Sequence, residues 1–65
     1  MSKVITNNTA AKAVYERMTE YFKANPDKTI DDCEAYLVKL ATEIYGKSVS
    51  EPEARRLYSK GKHQS

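Results

Sequence analysis

The chain offers few side chains for covalent or metal chemistry: one cysteine, Cys33, one histidine, His63, and scattered carboxylates. Nucleophilic catalysis needs a thiol or hydroxyl activated by a base within hydrogen-bond reach, and acid–base catalysis needs a tuned pair in a pocket. Cys33 lies on the apolar stripe of a helical pattern, where a thiol acts as a small hydrophobic side chain. His63 sits in a polar stretch at the other end of the sequence, with no second ligand at metal spacing. Asp31, Asp32 and Glu34 form an acidic run, but they fall in the first turn of a helix, where carboxylates complement the positive end of the dipole. Gly46-Lys47-Ser48 shares its last three residue types with a phosphate-binding loop, yet it lacks the preceding glycine and follows a helix instead of opening one. The expectation is a non-catalytic protein with no cofactor and no metal site.

Charge is the more informative chemistry. The net charge is +2, but it is unevenly spread: residues 1–28 carry a small positive excess, residues 29–46 a negative one, and residues 47–65 the largest positive one. In that last third Arg55, Arg56, Ser59, Lys60 and Lys62 lie away from Ala54 and Leu57 on a helical projection. Such a surface suits contact with a phosphate backbone. The run LATEIYGKSVSEPEARRLYSKGK then reads as helix, glycine, β-branched residue, serine cap and short helix with outward arginines. It resembles a helix-turn-helix, which implies DNA binding through the last helix. Two features depart from that pattern: Lys47 and Ser48 lengthen the turn, and Glu51 with Glu53 would repel phosphates at the helix entrance.

The elements that must position these residues follow from periodicity and punctuation. From Thr29 to Gly46 the grammar is complete. Thr29 serves as N-cap, with Asp32 at the third helical position. Ile30, Cys33, Leu37, Leu40 and Ile44 recur at steps of three and four, and Gly46 closes the end. Tyr36 flanks this stripe on one side, and Val38 with Tyr45 on the other. Upstream, Ala10, Ala11, Val14, Met18, Tyr21 and Phe22 share a face, capped by Asn8 or Thr9 and broken at Asn25-Pro26. Downstream, Ser50-Glu51-Pro52-Glu53 fits a capping box, with Val49 and Ala54 placed as a hydrophobic staple. The sequence therefore predicts an all-α fold, a small three-helix bundle with helices over about 9–24, 30–45 and 51–60. Residues 1–8 read as a flexible arm, with Val4 and Ile5 able to pack loosely on the bundle, and residues 61–65 as a flexible basic tail.

Sixty-five residues bound the rest. A chain this short forms one domain with about 3–5 kcal/mol from its core, so homodimer formation or partner binding would add useful stability. Leu, Ile, Val and Phe together are scarce, and seven alanines with five tyrosines replace them, a mixture suited to close helix packing. A single cysteine forms no internal disulfide, which points to a reducing, cytoplasmic setting. No signal-peptide pattern, lipidation motif or membrane-length apolar run is visible, so no membrane partner is expected. Two functions remain. The first is a small DNA-binding regulator using Arg55, Arg56, Ser59, Lys60 and Lys62. The alternative is a protein-binding inhibitor or adaptor, of the kind encoded by phage and mobile elements, docking through Tyr36, Val38 and Tyr45.

Overall fold

A computed structural model describes residues 6–64 of the chain. Among them the backbone forms three α-helices joined by short connections: α1 (Asn7–Ala24), α2 (Glu34–Tyr45) and α3 (Glu51–Gln64), with one 3-10 turn, Asp31–Cys33, leading into α2. This is the all-α three-helix bundle that the sequence implies. No helix among the described residues is long and apolar enough to cross a membrane.

The first helix begins earlier than its polar start suggests. Thr6 is the cap: its Oγ1 accepts from the Thr9 amide at 3.1 Å, and its carbonyl accepts from Ala10 N–H at 2.9 Å. Asn7 and Asn8, read from sequence as a turn-like pair in an arm, are thus helical; Val4 and Ile5 lie outside the described residues. At the far end Asn25 leaves helical geometry, as the following proline requires. Lys28 N–H then donates to the Asn25 carbonyl and closes a turn with Pro26 in its second position. Thr29 and Asp32 cap one another: Thr29 N–H donates to Asp32 Oδ2 at 3.1 Å and Asp32 N–H to Thr29 Oγ1 at 3.3 Å. Gly46 closes α2 in the left-handed region, φ 79°, with its N–H on the Thr42 carbonyl. Val49 N–H donates to Thr42 Oγ1 at 3.3 Å, so the connection folds back along the last turn of α2 before α3 begins.

The core is built from small residues. Ala10, Ala11, Val14 and Met18 of α1 meet Cys33, Leu37, Leu40 and Ala41, and Val49, Ala54 and Leu57 close the cluster. Ile30 and Ile44, the outer members of the α2 stripe, are only half-buried. The most extensive interface joins α1 to α3, so α1, and not the well-punctuated segment Thr29–Gly46, is the helix against which the fold is assembled. Gly61 stacks on Ala11 and Tyr15, while Tyr58 meets both Tyr15 and Phe22. Numbering falls on α3 as it rises on α1, and the two helices run antiparallel. The same reasoning, from Tyr21 on Tyr36 and Asn7 on Tyr45, sets α2 antiparallel to α1.

This interface corrects the expected end of α3. The polar run after Lys60 suggests fraying, with residues 61–65 as a tail, but the helix continues to Gln64 and Gly61 is buried. The glycine has no side chain to keep α1 away, so the helix backbones come close and the last turn of α3 docks.

Candidate functional site

The five polar residues singled out on α3 do not act as one set. Arg55 turns back onto the start of α2. Its Nε donates to Glu34 Oε1 at 3.0 Å, and its Nη2 donates to Asp31 Oδ1 at 2.5 Å and also to Glu34 Oε1. The two carboxylates, Asp31 first and then Glu34, hold the Arg55 guanidinium above its ordinary pKa. Its side chain remains 39% exposed and the pair sits at the surface, so what it adds is mainly the placement of α3 against the entrance to α2. The acidic first turn therefore has a tertiary partner as well as its dipole role.

Arg56, Ser59 and Lys60 are exposed and share a face with His63, at the three- and four-residue spacing of one side of a helix. Lys62 is exposed on the flank of that face. Among the described residues the Arg56 guanidinium has no hydrogen-bond, ion-pair or ring partner. Lys60 reaches across to the start of α1, where its Nζ donates to Asn7 Oδ1 at 2.7 Å. Asn7 Nδ2 in turn donates to the Tyr45 hydroxyl at 3.3 Å, and Lys47 Nζ lies 4.9 Å from the centre of the Tyr45 ring. Asn7 thus links all three helices at one end of the bundle. Sequence reasoning missed it, because an asparagine beside a second asparagine carries only a turn signal.

Beside α3 runs an open groove of about 490 Å³, lined by Asn7, Ser50, Pro52, Glu53, Arg56, Leu57 and Lys60. Two of its walls carry the unpaired Arg56 and the Asn7-bound Lys60, and a third carries the Glu53 carboxylate at the helix entrance. Glu51, exposed in the same first turn, adds to the negative character there. The cationic half of the groove therefore lies toward the middle of α3, away from its start.

The aromatic residues proposed for protein docking are separated. Tyr36 stacks on Tyr21 with ring centres 4.6 Å apart and planes 25° from parallel. Tyr45, nine positions on and so about 13 Å along the helix, is tied to Asn7 and Lys47 instead. Val38 is half-buried against the core. Each is occupied within the fold, and they form no single exposed patch. Cys33 is buried, and its thiol, next to the Tyr21 phenol, raises the Tyr21 pKa. Among the described residues no group of three or more His, Cys, Asp or Glu side chains is arranged to hold a metal ion.

No protein-family model, curated protein or solved structure matches this chain. The functional reading therefore rests on its own residues.

Proposed function

We propose that this is a small, non-catalytic, cytoplasmic regulatory protein that binds DNA, meeting the phosphate backbone through the exposed face of α3. Arg56 and Lys60 supply the main charge, Ser59 a neutral donor between them, and Lys62 a further cation at the edge. The observation that carries the reading is the contrast between two adjacent arginines. Arg55 is neutralised by Asp31 and Glu34, whereas Arg56 stands exposed and unpaired one helical turn from Lys60. On this reading Arg55 is a positioning residue, and the phosphate contact expected of it passes to its neighbour. Glu51 and Glu53 give the surface a direction, because they discourage phosphates from the helix entrance and leave the middle of α3 as the contact region.

The test is fluorescence anisotropy with a labelled mixed-sequence duplex at low and moderate salt. Binding should weaken as salt rises, since each neutralised phosphate releases counterions. An Arg56→Ala, Lys60→Ala double variant should lose most of the affinity, whereas Arg55→Ala should keep more of it. Undiminished binding by the double variant would remove α3 from the interface.

A further inference from the structure

We infer that the groove beside α3 is a seat for one phosphate group, held by Arg56 and Lys60 and aimed by Asn7; on the preceding reading, that group belongs to a nucleic-acid backbone. The groove is open to solvent along one side and measures about 490 Å³, which leaves room for a phosphate and its adjoining sugar to lie in it. Arg56 brings a planar guanidinium with no partner among the described residues, whose parallel N–H groups match two phosphate oxygens. Lys60, four residues on, lines the same groove and gives one hydrogen bond to a neutral acceptor, Asn7 Oδ1. That bond fixes the ammonium without neutralising it, and two N–H donors remain for a ligand.

Asn7 is set for this role from both ends of its amide. Oδ1 accepts from Lys60 and Nδ2 donates to the Tyr45 hydroxyl, so the end of α2 fixes the amide and the amide fixes the lysine. A long side chain that is already oriented loses less rotamer freedom on binding, which is how a distant hydroxyl contributes affinity. Ser50 adds a hydroxyl to the lining and Pro52 an apolar wall. Glu53 limits the site: a second phosphate next to its carboxylate would be repelled, so the seat takes one phosphate and the chain on either side must leave away from the helix entrance.

The experiment titrates the isotope-labelled full chain separately with inorganic phosphate and with a short mixed-sequence oligonucleotide, following the Asn7 side-chain amide and the Arg56 Nε resonance. Both ligands should shift these signals saturably. Arg56→Gln should weaken both by about tenfold or more, as expected for losing a charge-assisted hydrogen bond. Asn7→Ala should weaken both by a smaller factor, and Lys39→Gln, an equal charge change on the exposed side of α2, should alter neither. A phosphate titration without saturable shifts at Asn7 and Arg56 overturns the seat, whatever the oligonucleotide does. So does unchanged affinity in Arg56→Gln. Saturable phosphate binding without oligonucleotide binding supports the seat, overturns the nucleic-acid reading, and makes the ligand a small phosphorylated molecule.

Discussion

Replacing Gly61 with alanine should destabilise the protein, although the same change in an exposed helix would stabilise it. The added methyl would stand 2.2 Å from the Ala11 carbonyl oxygen, 2.6 Å from Tyr15 Cβ and 2.9 Å from the Ala11 carbonyl carbon. Two of those atoms are backbone and the third is the first atom of a side chain, so no rotamer change relieves the contact. α3 must move away from α1, and the ring contact of Tyr58 with Tyr15, 5.5 Å between centres, loosens with it. Overpacking of this kind costs about 1–3 kcal/mol, and contact with backbone atoms places Gly61→Ala in the upper half of that range; the gain of about 0.5–1 kcal/mol from removing a helical glycine then leaves a net loss of about 1–2 kcal/mol. For a domain of this size that corresponds to a fall of about 5–15 °C in Tm. Thermal unfolding followed by circular dichroism measures it, with Gly46→Ala as a comparison that separates clash from strain. Gly46 has φ 79° and nothing within 4 Å of an added Cβ, so its penalty is conformational only, about 1–2 kcal/mol. A Gly61→Ala protein that melts at or above the wild-type temperature would refute the docked end of α3.

Arg55→Ala should lower Tm more than Arg56→Ala, because only Arg55 is tied to Asp31 and Glu34; a melting comparison of the two variants checks this, and equal effects would count against the tie. Burial and the neighbouring Tyr15 raise the Tyr58 pKa above 10.0, and Cys33 raises that of Tyr21. A phenol raised in the folded state contributes stability in full below its unfolded value, and that contribution is lost as pH rises through the folded value. Tm should therefore fall progressively above pH 10, with tyrosinate absorbance appearing later in the folded protein than in the denatured one; coincident titrations would contradict it. Cys33, 4% exposed, should react with a thiol reagent slowly in buffer and rapidly in denaturant, and equally fast labelling in both would mean that its helix is not docked.

How far the sequence reached depended on whether a feature is local. Thr29, Asp32 and Gly46 announce the start and stop of the central segment through chemistry confined to a few residues, and the caps form where that chemistry places them. The apolar stripes were equally legible, since Val14, Met18, Leu37, Leu40 and Leu57 face inward at helical spacing. The end of α3 was not, because a run without apolar residues reads as a tail in isolation, and Gly61 marks close helix contact only once Ala11 and Tyr15 lie opposite it. The two arginines show the same limit. Arg55 and Arg56 are indistinguishable as neighbours in a basic run, and what separates them is an acidic turn more than twenty residues upstream that reaches one of them. Asn7 was hidden for a related reason: its partners Tyr45 and Lys60 come from the other two helices.

The most direct test of the DNA-binding account is the affinity for duplex DNA across a series of salt concentrations. With Arg56 and Lys60 on one phosphate and Lys62 on a second, log affinity should fall linearly with log salt at a slope of about −1 to −2, and an Arg56→Gln, Lys60→Gln double variant should make that slope shallower by about one. No binding at low salt, or binding that does not change with salt, would contradict it.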